Sequence, residues 1–114
     1  MIKISAEDMI DEAISVLQDG GWIRGHAHTA EGHCVMGAFS TARINLVMRA
    51  RGDVTYQEAW AVSARAYIDA MTKVNHQINH RVSCQISIPS WNDNKARDAD
   101  EVIEMLKLAK DQQL

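Results

Sequence analysis

The sequence is poor in the features that mark disulfide-rich, secreted and membrane-spanning proteins. Its 114 residues include two cysteines, Cys34 and Cys84, one proline and one phenylalanine. Two distant cysteines do not make a disulfide framework, and the first residues show no signal-peptide pattern. No apolar run approaches the roughly 20 residues that a bilayer-spanning helix needs. We therefore expect a reduced, cytoplasmic protein that has no membrane partner.

An excess of positive charge is also missing. The net charge is −3 and the isoelectric point is near 5.9, which argues against a protein that gains its affinity by neutralising phosphates. Nucleic acid is therefore the least favoured partner. The sequence has no phosphate-binding loop, dinucleotide fingerprint or CxxC pair. No catalytic residue is assigned, and a binding protein is favoured over an enzyme.

Apolar residues recur at helical spacing in four segments, which predicts a mainly α, compact four-helix fold with residues 1–114 as a single domain. Ser5 with Asp8 and Thr55 with Glu58 have the spacing of capping boxes, in which side chains bond the free amides of a helix start. The predicted helices cover about residues 5–19, His33 or Cys34 to Ala50, Thr55 to about residue 80, and a segment that follows Asp98.

The third predicted helix is the longest and should be the central packing element. Its apolar stripe consists of Trp60, Ala64, Tyr67, Ile68, Met71, Val74 and Ile78. In the second helix, Gly37 costs helix stability and therefore predicts a close helix crossing at this position.

A change of period after His80 predicts a short strand near residues 82–88. Val82, Cys84, Ile86 and Ile88 alternate with polar residues up to Pro89. A lone strand needs a partner, which Met1 to Ile4 or the same strand of a second subunit would supply, so a homodimer is expected in the second case. Residues 90–97 are predicted to form a polar loop anchored by a tryptophan.

The stretch from Gly20 to Phe39 is the first candidate for a site, because it holds most of the glycines and three of the five histidines. If a helix begins at His33, its free amides and the nearby Arg24 would suit a phosphate or nucleotide-like ligand. Trp22 and Trp91 are better explained as core residues, but would anchor a protein partner if they faced outward. The candidate ligand-binding residues are Trp22, Arg24, His26, His28, His33, Cys34, Trp91, Asn92 and Asp93.

A metal site is the second candidate. His76 and His80 lie four residues apart on a predicted helix, as metal-ligating pairs do, and Cys84, His33 and Cys34 are the residues that could complete a zinc shell. Cys34 at a helix start is also a candidate nucleophile, although a small buried apolar role is the simpler interpretation.

Several short motifs resemble those of a known domain family. They are Trp22 after paired glycines, Gly32-x-Cys34 leading into Gly37-Ala38, and Trp91-Asn92-Asp93 followed by Asp98-x-x-Glu101-Val102. The family that they resemble has no known function and consists of short proteins from actinobacteria and bacteriophages. Two departures are His33 in place of a more usual arginine and the lack of Pro-Gly after Asp93. The resemblance implies a self-contained domain and supplies no activity.

The hypothesis that follows is a small non-enzymatic binding or regulatory protein, by which a phage acts on a host protein or a defence system. The alternative is a protein that binds a small ligand or a metal through residues 24–34 with His76 and His80.

Overall fold

The computed structural model describes residues 2–112, and within them five helices and one short hairpin. The elements are α1 (Ala6–Gly20), β1 (His28–Thr29), β2 (Gly32–His33), α2 (Val35–Ala50), α3 (Tyr56–Val82), α4 (Ile88–Asn94) and α5 (Ala99–Lys110). The two strands are antiparallel, with His28 opposite His33. The mainly α prediction is confirmed, and the described part of the chain has five helices where four were predicted.

The predicted helix starts agree with the observed caps. Ser5 and Asp8 exchange side-chain bonds with each other's amides, both at 3.0 Å. The side chains of Thr55 and Asp98 accept bonds from the amides three residues later, at 3.1 and 2.8 Å. Each cap satisfies amides that have no partner inside the helix, which sets where the helix begins.

The predicted strand near residues 82–88 is wrong. Helix α3 continues to Val82, Ser83 turns the chain with φ of 58°, and α4 begins at Ile88 after its cap Ser87. Pro89 lies in the first turn of α4, where its missing N–H costs nothing because that group would have no helical partner. Residues 90–97 are therefore largely helix rather than loop. Residues 2–4 form no strand, and Met1 lies outside the described residues.

All five helices contribute side chains to the core. Helix α1 packs most extensively against α2, and α3 contacts each of the other four helices, in agreement with its predicted central position. The largest fully buried side chains include Met9, Ile10, Phe39, Val74, Ile78, Trp91, Met105 and Leu106. None of the helices within residues 2–112 combines the length and apolar character that crossing a bilayer requires.

The core face of α3 differs from the predicted stripe. In its first half the helix buries small residues, Ala59, Ser63, Ala66 and Ala70. Small side chains let neighbouring helices approach closely, because interaxial distance depends on the residues at the contact. The larger residues in this half of the predicted stripe are therefore displaced outward, and Trp60 and Ile68 are 38% and 58% exposed. In the second half of the helix, Val74 and Ile78 are buried, as the stripe predicts. The prediction that Trp60 belongs to the core is wrong.

Candidate functional site

The loop of residues 21–34 is fastened to α4 by the buried side chain of Asn92. Its Oδ1 atom accepts bonds from Trp22 Nε1 at 2.7 Å and from the Val35 amide at 3.0 Å. Its Nδ2 atom donates to the carbonyl of Ile23 at 3.1 Å and to Asp93 Oδ1 at 2.9 Å. Since Asn92 is only 1% exposed, this one amide joins the loop, the start of α2 and α4 away from water.

Arg24 and Asp93 add a second pair of contacts between the same segments. The guanidinium group of Arg24 lies 4.7 Å from the centre of the Trp22 ring and donates to the carbonyls of Ala96 and Arg97. Asp93 accepts a bond from the amide of Gly25 at 2.9 Å. That amide, followed by the side chain of Asn92, lowers the pKa of Asp93.

The amides at the start of α2 already have partners. The Cys34 amide donates to the carbonyl of Ala27 at 3.1 Å, and the Gly37 amide donates to Cys34 Sγ at 3.3 Å. With the Val35 amide bound to Asn92, three amides of this helix start are not free to meet an anion, as the phosphate hypothesis required. A Cβ atom at Gly37 would overlap the Ala27 carbonyl, so the close approach predicted there is to loop backbone and not to another helix.

The hairpin carries two of the candidate histidines as a pair. The Nδ1 atoms of His28 and His33 lie 2.8 Å apart, so one ring donates and the other accepts. The His33 ring also lies against Gly20, where a Cβ atom would come within 2.9 Å of its Nε2 atom. Burial, followed by the charge of His28, lowers the pKa of His33.

The remaining predicted residues are scattered. His26, Cys34 and Asp93 line one small hollow of about 180 Å³, which is less than the roughly 300 Å³ of a typical ligand pocket. Trp91 is buried in the core, whereas the side chains of His76 and His80 are exposed on α3. Within residues 2–112 no three histidine, cysteine or acidic side chains converge as a metal would require.

A wider hollow of about 790 Å³ lies between the start of α1, the middle of α3 and the end of α5. Its lining is charged, and the charges are largely engaged with one another or with nearby residues. Lys73 pairs with Glu7 at 3.4 Å, Arg65 with Asp69 at 3.3 Å, and Lys110 with Asp11 at 3.0 Å. Paired surface charges of this kind are ordinary, so this hollow is a weak candidate for a site.

An apolar surface runs along α3, and the helical spacing in the sequence predicts all of its residues except Tyr56 to lie in the core. We call it the α3 stripe and define it by Tyr56, Trp60, Tyr67, Ile68 and Met71. Tyr56 and Trp60 stack with their ring centres 6.2 Å apart. The half of the stripe nearest α4 borders a hollow of about 660 Å³, the α3 groove, whose lining is mostly apolar and contains no carboxylate.

The α3 groove is built by three helices. Met36 from α2, Tyr67, Ile68 and Met71 from α3, and Ile88 and Pro89 from α4 supply its apolar wall. His76 lies at its edge, and Met36 and Pro89 also line the small hollow beside His26. The sequence does indicate an apolar face on this helix, because the residues of the stripe follow helical spacing. The spacing alone does not say which of two neighbouring faces is covered.

Arg43 connects the stripe to α2. Its guanidinium carbon lies 3.8 Å from the centre of the Trp60 ring and 5.7 Å from that of Tyr67. Its Nε atom donates to Ser63 Oγ at 2.7 Å, and its Nη2 atom donates to the Trp60 carbonyl at 3.0 Å. Two aromatic rings and two hydrogen bonds thus hold this cation in one position.

Comparison with known proteins gives a family and no activity. No curated protein and no solved structure matches the chain. The motifs noted above are spread over nearly the whole sequence, and so is the family match. The chain belongs to the family of unknown function DUF6197, whose profile matches residues 1–112.

Proposed function

We propose that the protein is a small non-enzymatic binding protein that recognises a segment of another protein through the α3 groove. The observation that carries this proposal is the exposure of Ile68 and Trp60 beside an apolar groove on the longest helix. An exposed apolar groove with polar surroundings is characteristic of protein interaction sites.

The groove has the size and chemistry to hold an apolar side chain of a partner. Its volume of about 660 Å³ exceeds that of one large side chain, and complete burial of a side chain such as Ile68 contributes about 1.5–3 kcal/mol. Partners that dock a helix into such a groove present apolar residues at positions i, i+3, i+4 and i+7. A second helix lying along α3 would satisfy both the groove and the exposed stripe.

The proposal also concerns the identity of the partner. The resemblance to short phage and actinobacterial proteins supports a host protein, or a component of a defence system, as the bound molecule. The alternative of a phosphate, nucleotide-like or metal ligand at residues 24–34 has less support, since three amides at the start of α2 and the side chain of Asn92 bond within the protein.

A peptide library displayed on phage and selected on the immobilised protein tests the proposal. We expect enriched peptides with apolar residues at helical spacing, which bind the wild type but not Ile68→Asp. Leu108→Asp is the matched control, because Leu108 is 44% exposed on α5 and does not line the groove. Failure to enrich any peptide, or equal binding to Ile68→Asp, would contradict the proposal.

A further inference from the structure

Arg43 of α2 brings a positive charge to the α3 stripe, where its guanidinium group lies over the Trp60 ring. Arg49, Arg65, Arg81 and Arg97 each lie within 3.5 Å of a carboxylate oxygen. Among residues 2–112, Arg24, Arg43 and Arg51 have no such partner, and of these Arg43 lies over a ring of the stripe. The lining of the adjoining groove contributes no carboxylate. An arginine cannot lose its proton at ordinary pH. Its charge therefore stays on this surface without a counter-ion from the described chain.

The bonds that Arg43 makes leave one side of its guanidinium group available. Nε and Nη2 form one edge of the planar group, and that edge is occupied by Ser63 and the Trp60 carbonyl. The Nη1 atom has no acceptor among residues 2–112. Arginine binds carboxylates through two parallel bonds from neighbouring nitrogens, and aromatic rings that shield it from water strengthen such a pair.

Resting on the proposed binding function, we infer that the partner segment carries an Asp or Glu side chain whose carboxylate binds Arg43. Trp, Tyr and Arg are the residue types that contribute most to protein interfaces, and here they meet in one cluster at the edge of an apolar groove. The partner is thus an amphipathic helix with one acidic residue, and charge complementarity distinguishes it from a purely apolar helix.

The geometry of α3 sets the spacing of the recognised residues. Ser63, which bonds Arg43, and Met71, which lines the groove, are separated by eight positions on one helix. Eight residues of helix span about 12 Å. A partner helix lying along α3 therefore places its acidic residue about two turns from the apolar side chain that enters the groove.

The experiment selects the same peptide library on the wild type and measures the dissociation constant of an enriched peptide by fluorescence anisotropy. We expect an acidic residue about two turns from an apolar anchor. Arg43→Gln should weaken binding about tenfold or more, because a hydrogen bond to a charged group contributes about 1.5–3 kcal/mol. Arg65→Gln is the matched control, since Arg65 is an exposed arginine of α3 already paired with Asp69, and it should leave affinity unchanged.

A double-mutant cycle isolates the pair. Changing the acidic residue of the peptide to its amide should weaken binding to the wild type and have no further effect on Arg43→Gln. Thermal melting of Arg43→Gln and of Arg43→Lys, which keeps the charge, shows whether the variants are folded. We expect Arg43→Lys to bind more weakly than the wild type and more tightly than Arg43→Gln.

The outcomes separate this inference from the proposed function. Apolar peptides that need Ile68 but show no acidic preference would overturn the carboxylate and leave the binding function standing. Absence of any selected peptide would overturn both. A dimer in sedimentation velocity that becomes a monomer in Ile68→Asp would also overturn the inference, because a second copy of the chain would then cover the stripe.

Discussion

Two arginine–tryptophan pairs occupy different regions of the molecule and differ in what surrounds them. Arg24 lies over Trp22 in the loop of residues 21–34, and Arg43 lies over Trp60 beside the α3 stripe. In the first pair, the guanidinium group of Arg24 donates to two backbone carbonyls, and the ring nitrogen of Trp22 donates to Asn92. In the second pair, Nη1 of Arg43 has no acceptor among residues 2–112, and Trp60 is 38% exposed.

The difference teaches that residues with reactive or polar side chains do not by themselves mark a site. The loop holds three of the six glycines and three of the five histidines, yet many of its polar groups bond within the fold. The side chains of residues 2–112 leave no buried nitrogen or oxygen without a hydrogen-bond partner. The α3 stripe has no histidine, cysteine or carboxylate, but it exposes apolar surface that another molecule would cover.

Removal of the Asn92 side chain should have the largest effect on stability, because it breaks the bonds that fasten the loop to α4. Asn92→Ala leaves the Trp22 ring nitrogen, the Val35 amide and a carbonyl without partners, and we expect a loss of about 3 kcal/mol in the free energy of unfolding. Asn94→Ala is the control, because that exposed side chain makes one bond of 3.4 Å. Urea denaturation measures both, and equal values for the two would refute the fastening role of Asn92.

Filling the contact between loop and helix should cost somewhat less. In Gly37→Ala the new methyl group overlaps the carbonyl of Ala27, so we expect a loss of about 2 kcal/mol from overpacking. At Gly52, a Cβ atom meets nothing within 4 Å, and Gly52→Ala should stay within about 0.5 kcal/mol of the wild type. Thermal or urea unfolding of the two variants decides the matter; a neutral Gly37→Ala would mean that the loop moves aside.

Acidification should lower the free energy of unfolding by a smaller amount than either of these substitutions. Because the pKa of His33 lies below its ordinary value of 6.5, the unfolded chain binds this proton more tightly. Its stabilising contribution is complete above that ordinary value and is lost as pH falls through the folded pKa. Glu12, Asp93 and Glu101 also have lowered pKa values, and their stabilising contributions start to be lost only below their ordinary values of 3.8 to 4.5.

Urea unfolding measured from about pH 7.5 to about pH 5.5 should therefore show a decline that His33→Gln flattens. His80→Gln, which removes an exposed histidine of α3, should retain the decline. The same slope in both variants would show that the hairpin pair does not contribute to the pH dependence.

Substitution on the stripe should have the smallest effect on stability. Ile68 is 58% exposed, so Ile68→Ser removes little buried surface and should change the free energy of unfolding by less than about 0.5 kcal/mol. Urea denaturation checks this value. A loss of several kcal/mol would place Ile68 in the core and remove the contrast between the two regions.

Local signals in the sequence predicted much of the fold. The caps at Ser5, Thr55 and Asp98 depend on spacing within three residues, and each is observed. The predicted reciprocal box is complete at Ser5, whereas at Thr55 the described residues show only the bond from the Glu58 amide. The start of α2 was harder to place, because its cap is Cys34, whose sulfur is an uncommon acceptor for a helix amide. Local rules therefore performed best where the usual capping residues are present.

The errors arose where one pattern fits two structures. The alternation from Val82 to Ile88 spans the end of α3, a left-handed turn and the start of α4. The period of two therefore arises by chance from three different local structures and does not reflect a strand. Pro89 ends a strand as readily as it begins a helix. The covered face of α3 depends on which helices pack against it, and the spacing of Trp60 and Ile68 carries no such information.

The sequence predicted which residues lie together at the candidate site, but not that they hold the fold together instead of binding a ligand. Trp22, Arg24, Asn92 and Asp93 were singled out from the sequence, and the fold does bring them together. Bonds that join residues 68 to 72 positions apart cannot be derived from local spacing. Hence no sequence pattern showed that these side chains bond to one another and to the backbone.

The fastening by Asn92 also bears on the order in which the chain folds. Its bonds join segments 57 to 70 residues apart, whereas α1 and α2 are near neighbours along the chain. Closing a long loop carries a larger entropic cost than closing a short one, so the helical pair is expected to form before the loop docks on α4. Contacts that form after the rate-limiting step act on the rate of unfolding. Loss of the Asn92 amide would accordingly shorten the lifetime of the native state while the refolding rate stays close to that of the wild type.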